Sequence, residues 1–287
     1  AAKNLKKGST WIMNVYIQTD IEGVAGVTFF ENRREDSISN YHHRHRMQKL
    51  LTQEVNAAVR AAFDKGAKVV LVNDSHGNAY NILFEELDPR CEILHGRAST
   101  QPFWLQDIDD GFDVMALIGM HAMAGTEGAN LPHSKWVIND GEIYLSEASM
   151  AAALAGYYGV RTVFISGDDY ITQEVSDKIP GIVKGVVKKA FGPYFARSKT
   201  PEGAQKIIYD GVCKGIECQS EIEPYIIKPP YRLNLLESKG HIAPFNKILE
   251  KDIEGDDLVE VFNGALNSFP WNNFGLKLPD GFKFSGM

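Results

Sequence analysis

The chain has 287 residues, 44% of them hydrophobic and 10% aromatic, enough to bury a sizeable core in one large domain, alone or with a smaller companion. Its formal net charge is -7 and its pI 5.7, a balance that offers neither a nucleic acid nor an anionic membrane the basic patch it would need. Three cysteines, Cys91, Cys213 and Cys218, are too few and too odd in number for a disulfide framework and fit a reducing, cytoplasmic setting, and no apolar run approaches the ~20 residues of a membrane span.

Residues 1–12 carry Lys3, Lys6 and Lys7, no acid, and none of the apolar stretch of a secretion signal. They read as a disordered leader or tag, with Met13 as a natural start. The run Met13–Gln18 alternates as a strand, with Val15 and Ile17 on one face. It leads into Thr19-Asp20-Ile21-Glu22-Gly23. In extended chain Asp20 and Glu22 project the same way, and two acids side by side repel unless a cation lies between them. A polar loop follows to Asn40. His42, His43 and His45 open a helix; neighbouring helical residues point in different directions, so these histidines read as helix surface. Met47, Leu51, Val55, Val59 and Phe63 form the apolar stripe of that helix, and Gly66 stops it.

Lys68–Val72 is apolar on both faces, as in a strand of a buried parallel sheet, and runs into Asn73-Asp74-Ser75-His76. Similar runs occupy Cys91–His95 and Val114–Met120, the latter ending directly in His121. Pro132-His133-Ser134 lies in the loop beyond. Lys135–Ile138 and Glu142–Leu145 flank Asn139-Asp140-Gly141, a hairpin turn. Ser146 is placed to cap a helix from Glu147 to Tyr157 or Tyr158. Val160–Ser166 is another buried strand, ending in Gly167-Asp168-Asp169, with a helix over Ile171–Lys178. Ile182–Ala190 and Pro201–Cys218 read as helices, Cys213 and Cys218 being ordinary residues of the second. Pro224, Pro229 and Pro230 mark a boundary, with strands expected near Tyr231–Leu236 and Leu258–Phe262. The alternation predicts the α/β class: a doubly wound, mainly parallel sheet with helices on both faces over residues 13–220, forming a metal-binding catalytic domain, and a smaller α+β portion over 221–287.

Open α/β sheets bind ligands beyond the carboxyl ends of their strands. The predicted strands end in Asp20 and Glu22, in Asp74 and His76, in His121, and in Asp168 and Asp169, while Glu147 opens the helix before the last of these. Each residue alone has an ordinary explanation as a turn acid, a cap, a first-turn acid or a core histidine. Several strand ends repeating the pattern point to a metal centre. Mixed carboxylates and imidazoles suit zinc, manganese, cobalt or iron, and the donors suffice for two ions about 3.5–4 Å apart sharing a carboxylate.

Thr-Asp-Ile-Glu-Gly at 19–23, Val-Asn-Asp-Ser-His at 72–76 and Ile-Gly-Met-His-Ala at 118–122 fall in a distinctive order. His-Ser at 133–134, Glu147 with Ala-Gly-Tyr-Tyr at 155–158, and Gly-Asp-Asp at 167–169 continue it. In order and spacing the chain resembles the DppA-type zinc-dependent D-aminopeptidases, over residues 13–287 with the motifs confined to 13–170. The resemblance implies two zinc ions per subunit, bridged by Asp20. Glu22 and His121 would complete one ion's ligands, and His76 and Glu147 the other's. Glu142 is the fallback for Glu147, because the stretch after His133 is shorter than the family pattern. His133 would act in catalysis, as nucleophile or as acid–base. Asp74 would accept the free N–H of a ligating imidazole, with Asp168 a second candidate for such a role. Two Zn²⁺ bring four positive charges against the three carboxylates Asp20, Glu22 and Glu147, leaving one charge for an anion from solvent. The implied activity is hydrolysis of the N-terminal bond of short peptides or amides of D-amino acids, in a homo-oligomeric, decameric ring. The alternatives are a dinuclear metal phosphoesterase, although no glycine-rich phosphate loop or Lys/Arg cluster adjoins the motifs, and a non-catalytic ring-forming metal- or peptide-binding protein.

Overall fold

The computed structural model describes residues 13–32, 35–77, 79–96, 104–237 and 245–269; the expected leader over 1–12 lies outside them. The first strand, β1 (Met13–Thr19), is followed by α1 (Ile38–Asp64), β2 (Ala67–Asp74) and the short edge strand β3 (Glu92–Leu94). The chain then crosses to the other side of β1 as β4 (Val114–Met120). Beyond it come β7 (Arg161–Asp168), α3 (Asp169–Lys178), β8 (Val183–Ala190), β9 (Ala196–Ser198) and α4 (Pro201–Glu217), after an excursion through β5 (Lys135–Ile138), β6 (Ile143–Leu145) and α2 (Glu147–Tyr157). The main sheet has seven strands in the order β3-β2-β1-β4-β7-β8-β9, parallel except for β9. Right-handed crossovers leaving β1 and β4 in opposite directions put their helices on opposite faces. Accordingly α1 packs with α4, and α2 with α3. This is the doubly wound α/β arrangement expected, and its strand order reverses between β1 and β4, where such sheets open a crevice.

A second, antiparallel sheet joins β10 (Tyr231–Glu237), β11 (Asn246–Lys247) and β12 (Ile253–Gly255) to the β5–β6 hairpin. It therefore draws strands from both sides of the boundary expected at residue 220. Helix α2 reads Glu-Ala-Ser-Met-Ala-Ala-Ala-Leu-Ala-Gly-Tyr and is apolar all round, because it is covered on both sides. It packs on β4 and β7 below and on β5, β6 and α5 (Leu258–Asn267) above. The Ser146 hydroxyl caps it by accepting from Ser149 N at 3.2 Å. Among the described residues no helix is long and apolar enough to cross a membrane.

Two expectations are overturned. Residues 182–190, expected as helix, form strand β8. Val183, Val186 and Val187 are β-branched, and pairing with Phe164–Asp168 of β7 overrides the weak helical pattern. Residues 258–262, expected as a strand, are the first turns of α5. Asp257 caps that helix through Glu260 N at 3.0 Å, and Leu258, Val261, Phe262, Ala265 and Leu266 are buried at helical spacing.

The end of β4 is irregular in a way that shapes the crevice. Leu117 pairs with Ile165 but Met120 with Gly167, so β4 carries an extra residue there, a bulge containing Gly119 at φ 74°. The turn after β1 zips onto it: Asp20 N donates to Ile118 O at 2.9 Å and Gly23 N to Gly119 O at 2.7 Å. A Cβ on Gly119 would run into the Asp20 carbonyl oxygen, and one on Gly23 into that of Met120. Gly119→Ala is expected to destabilise the fold by about 1–3 kcal/mol, through strained backbone and separation of the two segments. Denaturant titration checks this, and an unchanged midpoint would show that the close approach is dispensable.

Candidate metal centre

The crevice gathers side chains from four elements. Asp20 and Glu22 come from the turn after β1, His76 from the loop after β2, His121 from the residue following β4, and Glu147 from the first position of α2. Asp20, Glu22, His76 and His121 are buried and Glu147 is half-buried. His76 Nδ1 lies 2.8 Å from Asp20 Oδ1 and 3.1 Å from Glu22 Oε2. His121 Nε2 lies 3.3 Å from Asp20 Oδ2 and 3.8 Å from Glu147 Oε1. His121 Nδ1 is 2.9 Å from Ala122 O, an acceptor only, so that nitrogen donates and Nε2 is left facing the acids. His133, half-buried, stacks on His121 with ring centroids 3.7 Å apart. Its Nδ1 donates to Leu131 O at 3.0 Å, and Phe30 meets its ring edge-on at 5.1 Å.

Three sets of side chains bring donor atoms within 4.8 Å of one another: Asp20, Glu22 and His76; Asp20, His121 and Glu147; and Glu22, His121 and His133. Asp20 thus belongs to two sets that otherwise share no residue. The two sets that share Asp20 pair His76 with Glu22 and His121 with Glu147, while the third pairs Glu22 with His121, as the resemblance implies. Glu142 lies exposed at the hairpin and enters none of them. Asp20 Oδ2, Glu22 Oε2 and His121 Nε2 are buried and make no hydrogen bond of good geometry, only imidazole–carboxylate contacts of 3.1 and 3.3 Å. These three donor atoms converge in the crevice, where one divalent cation could satisfy several of them at once.

The protonation pattern reflects the same excess of acid. Burial pushes the Asp20 carboxyl up, and the Glu22 charge adds to it. Burial would also raise Glu22, but His76, with His133 and His121, holds it well below the usual carboxylate range. For Glu147, burial is outweighed by its bond to His121 and it falls to about 2. Burial disfavours charged imidazoles, yet the surrounding carboxylates raise His76 well above its ordinary value and His121 to about 10.

The pattern of the D-aminopeptidase family matches residues 13–252, most of the chain. The chain belongs to the D-aminopeptidase family. A D-aminopeptidase of Bacillus subtilis (strain 168) is 29% identical over 227 residues, 77% of this chain and 79% of that relative. Among solved structures, one titled a Zn-dependent D-aminopeptidase, DppA, from Bacillus subtilis, a self-compartmentalizing protease, matches with TM-score 0.78. The match covers 93% of this chain and 99% of that one at 22% identity, a likeness of fold.

Around this D-aminopeptidase-family centre lie supports that the sequence placed only in part. Asp74 accepts from Asn81 N at 2.5 Å, Asn81 Nδ2 at 2.8 Å and Ile82 N at 2.9 Å, so it shapes the loop carrying His76. Asp168 caps α3 through Tyr170 N and Ile171 N and takes Asn130 N at 2.8 Å, which holds the loop leading to His133. The acid facing His76 Nε2 is Glu31, at 3.4 Å, itself tied to Arg44 at 2.7 Å. Nothing in the motif spacing marked Glu31, and nothing marked buried Lys188, whose ammonium donates to Glu22 O, Val27 O and Asn130 Oδ1.

Both imidazoles facing the acids lie above the ordinary 6.5, so without metal both carry protons at pH 7. Ligation needs them neutral. Zinc uptake at pH 7 is therefore expected to release protons, those of the two imidazoles among them. Its apparent affinity should climb with pH until His121 sheds its proton unaided near pH 10. Calorimetry in buffers of differing ionisation enthalpy counts those protons, and no release would remove both imidazoles from the ligand set.

Proposed function

We propose that the chain is a dinuclear-zinc aminopeptidase that hydrolyses the N-terminal bond of short peptides or amides of D-amino acids. It works as a cytoplasmic homo-oligomer, a decameric ring. The observation that carries this reading is Asp20, a buried carboxylate shared by two ligand sets, one with Glu22 and His76 and one with His121 and Glu147. Asp20, Glu22, His76, His121 and Glu147 would hold the ions, with Asp20 between them. Family membership and the fold of the Bacillus subtilis enzyme support the chemistry.

Zinc, when bound, supplies a Lewis acid that polarises a carbonyl and a water molecule. The remaining tasks fall to the chain. Hydrolysis adds water across the amide: one proton of the water must leave as the C–O bond forms, and the departing amine must gain one. His133 is the residue for that transfer. Its Nδ1–H is committed to Leu131 O, so Nε2 is the atom that takes and returns a proton, or attacks directly. Stacking on His121 and the edge of Phe30 fix the ring plane before substrate arrives. Phosphate-ester chemistry fits less well, since Arg44 is held by Glu31 and Lys188 by carbonyl oxygens. Phe191 and Phe195 are exposed on the turn between β8 and β9, the kind of apolar surface that assembly covers.

Zinc-loaded protein offered D-Ala-D-Ala, an L-dipeptide amide and p-nitrophenyl phosphate is expected to cleave the first and spare the ester. Asp20→Ala should empty both metal positions and abolish cleavage, whereas Glu22→Ala should weaken mainly one. His133→Ala should keep its zinc and lose at least about 10²-fold in kcat. Undiminished turnover in that variant would remove His133 from the chemistry.

A further inference from the structure

The second sheet brings to the crevice a carboxylate that the ligand sets do not use. Strand β10 ends at Glu237, and its pairing with β5 sets Leu236 opposite Lys135, beside Ser134. Ser134 Oγ lies 3.3 Å from Glu237 Oε1 and also hydrogen-bonds the Glu147 carboxylate. A hydroxyl has a single proton, so it serves one of these acids at a time. Glu237 is close enough to His133, Glu147 and His121 to interact with each electrostatically. It enters none of the ligand sets found among the described residues. The basic residues described in the second sheet are engaged elsewhere, Arg232 with Asp140, Asp252 and Glu254, Lys247 with Asp252, and Lys135 over the rings of Tyr144 and Phe245, and no ion pair among the described residues includes Glu237. A half-buried carboxylate whose hydrogen bond among the described residues is a shared hydroxyl is costly to keep.

Charge arithmetic says what it is for. Two divalent ions, the carboxylates of Asp20, Glu22 and Glu147 and one anion from solvent already sum to zero. Glu237 is surplus to that balance. An aminopeptidase substrate brings one further charge, an α-ammonium with three N–H donors, to a centre that is otherwise neutral. We infer that Glu237 is the anchor for the free α-ammonium group of the substrate, its carboxylate positioned by the Ser134 hydroxyl. The ammonium and the scissile carbonyl are separated by a single Cα, so the anchor must stand next to the reacting groups, and Ser134 directly follows His133 in the chain. Removal of one residue at a time then follows from the short distance between anchor and acid–base. A peptide whose amine is acylated would set a neutral group against a buried acid. This inference rests on the aminopeptidase reading and adds the group that recognises the amino terminus.

The test uses two hydroxamates that chelate zinc and are not turned over, D-alanine hydroxamate and propionohydroxamate, which differ only in the amine. Calorimetry on the zinc-loaded chain should show wild type preferring the amine-bearing compound by about tenfold or more, as a charge-assisted hydrogen bond would give. Glu237→Gln should bind both alike, with zinc content and propionohydroxamate affinity unchanged, which also shows that the variant is folded. Glu237→Asp should keep part of the preference, and the KM for D-Ala-D-Ala should rise in Glu237→Gln far more than kcat falls. A preference that survives in Glu237→Gln, or is missing in wild type, overturns the anchor. Loss of zinc in Glu237→Gln also overturns it, making Glu237 a ligand. A wild type that prefers the amine yet cuts no peptide overturns the proposed function and leaves the anchor standing.

Discussion

The buried turn at residues 20–27 is the constraint on which the rest of the crevice depends. A loop with its backbone out of water must find a partner for each N–H and C=O, or lose stability for every one left alone. Here the partners come from three directions. Strand β4 takes Asp20 N and Gly23 N, Glu54 on α1 takes Ala25 N at 2.9 Å, and Lys188 on β8 donates to Glu22 O and Val27 O. Helix, central strand and outer strand thus converge on one short segment. Burial strains these supports themselves: the Glu54 carboxyl is pushed up to about 7 and the Lys188 ammonium down to about 8, each partly restored by the other's charge. The result is a rigid platform from which the Asp20 and Glu22 side chains can point only into the crevice.

That rigidity turns a local excess of acid into a chemical property. Flexible carboxylates would swing apart into water, whereas these are held where they must be neutralised in place. Protons on His76 and His121 do this in the metal-free chain, and a divalent cation does it with more charge in less space. Low polarity sharpens both outcomes, because the same groups interact more strongly here than at a surface. The contacts of Asp20 Oδ2 with His121 Nε2 and of Glu22 Oε2 with His76 Nδ1, at 3.3 and 3.1 Å, fall short of good hydrogen-bond geometry and leave room for a cation to do the task better.

Much of this was legible in the sequence because it is written locally. The Val114–Met120 run, the Ser146 cap and the Asn139–Gly141 turn depend on nearest neighbours, and β4, α2 and the hairpin appear where those signals put them. The reversal of strand order brought Asp20, His76, His121 and Glu147 together as strand-end chemistry suggested. What stayed hidden depends on partners far along the chain. Strand β8 is a strand because β7 lies beside it, and α5 is a helix because its apolar side meets β10 and β12. Glu31, Lys188 and Glu237 carry no signal in their own neighbourhoods. Each is defined by what it meets, and Lys188 reaches across 166 residues to Glu22. The grouping of donors into sets is likewise a matter of side-chain direction, which spacing does not encode.

The two sheets divide the work of the crevice between them. Strands β1, β2 and β4 of the parallel sheet carry Asp20, Glu22, His76 and His121, all on turns locked to neighbouring backbone. The antiparallel sheet supplies Glu237 from β10 and frames Ser134, while Glu147 sits on α2, the helix clamped between the sheets. Ser134 is where the second sheet meets that helix, one hydroxyl between Glu237 and Glu147. On the reading proposed above, the first system holds the ions and the second meets the peptide. The contact between them then fixes how far an amino terminus can sit from the bond to be cut. Such a distance cannot be set within one sheet, because a strand end that is locked for metal binding has no freedom left to shape a substrate pocket. Pairing β5, from the middle of the chain, with β10, from beyond the prolines, resolves that conflict. On that reading the smaller sheet is a wall of the crevice, with the separation between the proposed ligands and the proposed anchor set by strand pairing and the packing of α2.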